Sequence, residues 1–172
     1  MTKFDVQSHR SPFVVSPFYK SLSKNFKNSK YSHLVDKLNQ DGYCIYDPMI
    51  DEELIDKANS DLQTIVEAKK FKTNAAEYHY NDSPRIVEAW KDSVSIKSLA
   101  TNKNIIELLT YAYNSRAIPF STINFLKGTE QPLHSDEFHF GSIPHGYLTG
   151  VWLALEDIHP DSGPLSIVEK SH

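Results

Sequence analysis

The sequence predicts an α+β fold, with helices in its first two thirds and sheet behind them. Two observations carry this reading. Apolar residues recur at helical spacing between residues 31 and 113, most clearly Leu54, Ile55, Ala58, Leu62, Ile65 and Val66. After Pro119 that spacing disappears. Short apolar runs punctuated by Gly128, Gly141, Gly146 and Gly163 take its place. Helices first and strands afterwards is the order of a segregated fold, not of alternating βαβ units.

The elements follow in order. Residues 1–30 are polar and mixed, interrupted by Pro12 and Pro17, and read as a loop-rich lead-in. Residues 31–40 read as a short helix, with His33, Leu34 and Leu38 near one face, stopped by the turn signal Asp41-Gly42. Residues 42–46 read as a short strand. It contains Cys44, the single cysteine, read as a buried structural thiol. Residues 51–69 form the clearest helix. Asp51 stands at its capping position, Glu52 and Glu53 suit the positive end of the dipole, and Lys69 and Lys70 suit the negative end. Residues 71–83, rich in Asn and Tyr, read as a loop or irregular strand. Residues 87–113 return to helical spacing, broken near Thr101-Asn102 with Asn102 as a cap. Strands are expected at residues 120–126, 132–140, 148–155 and 165–168.

Composition bounds the function classes. A chain of 172 residues suits one domain, and 40% apolar with 12% aromatic residues suffices for a packed core. The net charge of −4 argues against a nucleic-acid footprint, which needs clustered Lys and Arg on one face. The basic run from Lys20 to Lys30 is interleaved with Ser and Asn and reads as a solvated segment. One cysteine excludes an internal disulfide and a cysteine-based zinc site. No apolar signal core and no stretch of ~18 apolar residues is present, so a cytoplasmic protein without a membrane span is expected.

The string that carries chemistry is Gln131-Pro-Leu-His-Ser-Asp-Glu-Phe-His139. On a strand, His134 and Asp136 would point to the same face, letting an imidazole and a carboxylate converge on one ion. Non-haem iron oxygenases use this pair plus a distant histidine as a facial triad with open coordination positions. An isolated His-x-Asp triplet is common, so its surroundings decide its meaning. A Gly-containing connection follows, GSIPHG, and then the apolar run Gly150-Val-Trp-Leu-Ala-Leu-Glu-Asp157. Next come the turn Asp161-Ser-Gly-Pro-Leu-Ser-Ile-Val168 and the corner Glu169-Lys170-Ser171-His172.

This order of motifs resembles the phytanoyl-CoA dioxygenase family over residues 31–172. The opening Asp41-Gly42-Tyr43, followed by the 51–69 helix, is similar to the family's beginning. The resemblance implies helices packed on a partial double-stranded β-helix, a jelly-roll of the cupin type. It implies an Fe(II)- and 2-oxoglutarate-dependent dioxygenase that hydroxylates a small organic or acyl substrate and consumes dioxygen. His134 and Asp136 would be the first two metal ligands. Trp152 falls where the family places an aromatic beside the metal and co-substrate, although core packing accounts for it equally. Asn124 would reach the same pocket or lie on the outer face. Gln131 and Ser135 would orient a ligand from behind or stabilise the turn.

Two departures from the family pattern stand out. The family's Pro-Gly-Ser-His corner appears as Glu-Lys-Ser-His, which puts the turn in doubt. The distal histidine and the basic residue for the 2-oxoglutarate carboxylate fall beyond this corner. The chain is therefore expected to hold only the first half of the barrel, as part of a longer sequence or completed by a partner. His172 matches the corner histidine and is not promoted to third ligand. Two rival readings stay open. One is a catalytically inactive binding module on the same fold. The other is a metal hydrolase using His134, Asp136 and His139. His145 and His159 read as solvated loop residues. Tyr78-His79-Tyr80 and residues 138–147 are candidates for the site entrance. Substrate identity and oligomeric state are not written in these motifs.

Overall fold

A helix with apolar residues at i, i+3, i+4 and i+7 must bury that stripe against something. In this chain such stripes build two separate cores. The computed structural model describes residues 12–25, 29–68, 72–73, 85–126, 131–143 and 145–172. The Tyr78-His79-Tyr80 segment lies outside them.

The first core joins the lead-in to α2 (Ser32–Asp41) and α5 (Lys103–Tyr113). Leu34 and Val35 of α2 meet Leu108 and Ala112 of α5, and Phe13, Val14, Tyr19 and Tyr31 close the cluster. The described part of the lead-in is thus held more firmly than its polar composition implies, residues 1–11 and 26–28 lying outside the described residues. It winds through a 3-10 turn at Phe13–Val15, α1 (Tyr19–Leu22) and a second turn at Ser23–Asn25. Asn39 Nδ2 donates to the Val14 carbonyl at 2.6 Å, and the Tyr19 hydroxyl donates to Asp36 at 2.6 Å. Burial and that carboxylate together push the Tyr19 phenol pKa well up.

The second core joins α3 (Glu52–Glu67) to α4 (Val94–Ala100) and the sheet. Ala58, Leu62 and Ile65 of α3 pack with Ile86, Ala89, Ile96 and Leu99. Asp61 fastens the two helices together. It accepts from the hydroxyls of Ser93 and Ser95, each at 2.6 Å, while Ser93 caps α4 by accepting from Ile96 N. Asn102 caps α5 as its sequence position predicts, accepting from the amides of Asn104 and Ile105. Asp51 precedes α3 in extended backbone but makes no side-chain cap bond, contrary to expectation.

The sheet is antiparallel with strand order β1 (Lys72–Thr73), β2 (Arg85–Val87), β3 (Ile123–Phe125). Arg85 pairs with Phe125, Ile86 with Asn124 and Val87 with Ile123. Helical spacing at the start of the 87–113 stretch is overridden here, because pairing with β3 recruits Val87 into a strand. Glu88 at φ 60° then turns the chain, and the α-helix begins only at Val94.

The α+β order holds, but several expected strands do not. Residues 42–46 form no strand. They run irregularly from Gly42, which caps α2 at φ 84°, and Cys44 lies half-buried against the first core. Burial raises its thiol pKa, which suits an inert packing role. Residues 132–140 are not a strand, since Asp136–Phe140 form the short helix α6. Asp136 and Glu137 occupy its first turn, where carboxylates suit the dipole, and Gly141 ends it. Residues 148–155 and 165–168 join no ladder among the described residues. The first of these is nevertheless tied down: Leu153 and Leu155 pack on the second core, and Asn59 Nδ2 donates to the Leu155 carbonyl at 2.9 Å.

Candidate metal centre

The His-x-Asp triplet comes together by a turn, not along a strand. His134 lies in the segment leading to α6, Ser135 is its extended N-cap residue, and Asp136 is its first helical residue. His134 Nε2 stands 3.4 Å from Asp136 Oδ1. His134 Nδ1 stands 2.7 Å from the Pro132 carbonyl oxygen. A carbonyl oxygen only accepts, so Nδ1 carries the proton and donates it. In the neutral ring Nε2 then presents a lone pair toward an acceptor-only carboxylate. A cation placed between that lone pair and the carboxylate would satisfy both. Metal-bound histidines characteristically donate their other ring N–H to a backbone carbonyl in this way.

The spacing fits an ion. Adjacent ligand atoms at ~2.1 Å from a divalent metal stand ~3 Å apart in octahedral geometry, close to the separation seen here. Both side chains are accessible, which suits a centre open to co-substrate. The pair is not completed locally. Among the described residues no group of three His, Cys, Asp or Glu side chains is spaced to hold a metal. His139, one turn along α6 from Asp136, brings its ring within 5.3 Å of the His134 ring, edge to face, yet does not converge with the other two.

The surroundings of the pair come from residues that the His-x-Asp spacing does not single out. Gly150 runs beside Asp136: a Cβ there would stand 3.2 Å from Asp136 Oδ2. Glu137 turns away and gathers a cluster of donors on Oε1, from Ser142 Oγ at 2.7 Å, Gly146 N at 3.1 Å and His145 Nδ1 at 3.3 Å. The Ser142 hydroxyl and then the Gly146 amide hold its carboxyl pKa below the ordinary value. The spacing of the triplet signals none of this. The glycines of GSIPHG were the one visible hint.

The remaining site candidates fall as follows. Trp152 is half-exposed, while its neighbours Leu153 and Leu155 pack on the second core. Asn124 lies opposite buried Ile86 in the sheet, which puts it on the inward face, and its Oδ1 is buried without a hydrogen-bond partner among the described residues. Thr122 Oγ1 and Trp90 Nε1 share that condition. Gln131 is half-buried and Ser135 exposed, and neither bonds to His134 or Asp136. His145 bonds to Glu137, and His159 accepts from the Asp161 amide at 3.2 Å, so both serve local turns. His172 lies at the corner, where its Nε2 stands 3.1 Å from the Asn39 carbonyl.

Residues 38–172 match the family model described as phytanoyl-CoA dioxygenase (PhyH). No curated protein and no solved structure matches the chain.

Proposed function

The chain belongs to the phytanoyl-CoA dioxygenase family, and from that premise we propose that it is an Fe(II)- and 2-oxoglutarate-dependent dioxygenase whose iron is held by His134 and Asp136. The observation that carries this reading is the pair itself. Nδ1 of His134 is committed to the Pro132 carbonyl, and Nε2 faces the Asp136 carboxylate at 3.4 Å. When bound, iron with 2-oxoglutarate supplies dioxygen-activating chemistry that couples loss of CO2 to substrate hydroxylation. The residues of this chain contribute position. Pro132 fixes the tautomer and ring plane of His134, and Asp136 supplies charge at the adjacent vertex. The facial triad needs a second histidine, which on this reading comes from outside the described residues. A hydrolytic centre on His134, Asp136 and His139 has less support, since the three do not converge.

The fold that accompanies this reading is a helical layer on part of a jelly-roll. Packing of alternate residues Leu153 and Leu155 gives residues 148–155 the inward-outward pattern of a sheet strand. Trp152 then falls on the opposite face with Gly150, on the side of Asp136, where an aromatic would flank the co-substrate. The substrate is a small organic or acyl molecule on the family's terms.

The test is anaerobic titration of Fe(II) into the full chain with 2-oxoglutarate, following the visible charge-transfer band of the ferrous chelate. The band should appear with wild type and vanish in His134→Ala and in Asp136→Ala. Iron retained equally by both variants, or not taken up by wild type, rejects the assignment.

A further inference from the structure

We infer that Glu137 is the positioning residue of this half-site, setting where the Asp136 carboxylate points. The inference rests on the metal reading above. Asp136 and Glu137 are neighbours in a five-residue helix, too short to hold its own orientation. One residue is about 100° of helix rotation, so fixing Glu137 fixes Asp136. Glu137 is fixed by donors from three residues on a single oxygen: Ser142, His145 and Gly146.

Those donors are themselves anchored. Tyr147 N donates back to Ser142 Oγ at 3.2 Å. Gly146, at φ 90°, lies against Pro12 and Val15 so closely that a Cβ would stand 3.1 Å from Pro12 Cδ. The Tyr147 ring packs on Tyr113 with centroids 5.7 Å apart, and the Tyr113 hydroxyl donates to Thr149 Oγ1 at 2.5 Å. Gly150, the next residue, runs beside Asp136, where an added Cβ would stand 3.2 Å from Oδ2. The contacts therefore form a closed circuit. It leaves Asp136 through Glu137, crosses to α5 and the lead-in, and returns to Asp136 at Gly150. Three hydrogen bonds to Glu137 thus link α6 to Ser142, His145 and Gly146.

The experiment compares Fe(II) affinity, measured anaerobically with 2-oxoglutarate, in wild type, Glu137→Ala, Glu137→Gln, His134→Ala and Asp61→Ala. Glu137→Ala should weaken metal binding by about 10–100-fold, the usual cost of losing an outer partner of a ligand. Glu137→Gln keeps an acceptor oxygen of the same reach and should rescue most of that loss. Asp61→Ala destabilises the fold at the distant α3–α4 junction and should leave metal affinity near wild type. Without metal, amide exchange at Phe138 and Gly141, whose N–H groups bond to Ser135 and Glu137 carbonyls, should accelerate in Glu137→Ala. Wild-type affinity and exchange in Glu137→Ala overturn the inference while leaving the metal reading intact. So does an equal loss in Asp61→Ala, since the effect then follows global stability. Binding by His134→Ala as tight as wild type fails the metal reading, and the inference falls with it.

Discussion

Lys170 occupies the place where the family's corner carries glycine, and it adopts φ 60°. The turn survives without glycine because its ends are held. Lys170 N donates to the Asp41 carbonyl at 2.9 Å, the Tyr43 hydroxyl to Glu169 at 3.2 Å, and the His172 ring lies on Gly42. A non-glycine residue in the left-handed region costs ~1–2 kcal/mol, partly offset by the larger unfolded-state entropy of glycine. Lys170→Gly should therefore stabilise the chain by roughly 0.5–1 kcal/mol, read as a rise in the urea midpoint at unchanged slope. The departure at Glu169-Lys170 was legible as a departure, but its tolerance was not, because the supporting contacts come from Asp41, Gly42 and Tyr43 at the end of α2, far away in sequence. The metal pair shows the same division. His134 and Asp136 announce themselves by spacing. Pro132 and Gly150 do not, because a carbonyl and a missing Cβ leave no mark on a residue string.

At the scale of elements, helices were legible and strands were not. A helix writes its buried stripe into its own sequence, so α2, α3 and α5 lie within a residue or two of their expected bounds. A strand depends on a partner elsewhere. Val87 reads as helix until β3 pairs with it, and residues 148–155 alternate like a strand yet find no ladder among the described residues. The junction of α3 and α4 was likewise hidden, since Asp61 meets Ser93 and Ser95 only after folding. Those two hydroxyls, with Lys57 nearby, lower the folded pKa of Asp61. A depressed carboxylate pKa adds stability that is complete above the unfolded value of ~3.9 and is lost as pH falls through the folded value. Asp61→Asn should thus be destabilised at neutral pH, with its deficit against wild type shrinking as pH falls below about 4. At pH 7, Asp61→Ala should lose about 1–3 kcal/mol, the range for hydrogen bonds to a charged acceptor. Denaturant curves taken across the pH series check both, and a deficit that stays constant into acid refutes the linkage.

Across the whole molecule, the two cores draw almost all their residues from before Pro119. Beyond it the balance reverses. Phe120, Leu133, Phe138, Ile143 and Leu165, with Ile118 just before Pro119, are all exposed, Ile143 completely. Scattered exposed apolar residues are ordinary, but their concentration in one region of the chain marks surface that gains by being covered. Residues 148–155 and 165–168, which join no ladder among the described residues, add backbone open to strand pairing to that surface. The full chain should therefore bind an apolar dye in its folded state and associate with rising concentration. Ile118→Lys combined with Ile167→Lys places two charges on this surface without touching either core. That variant should lower dye binding and shift sedimentation toward the monomer, with a melting temperature within a few degrees of wild type. A melting temperature that falls sharply would mean these side chains are packed, and the reading of an uncovered surface would fail. Unchanged association with an unchanged melting temperature would place the sticky surface elsewhere.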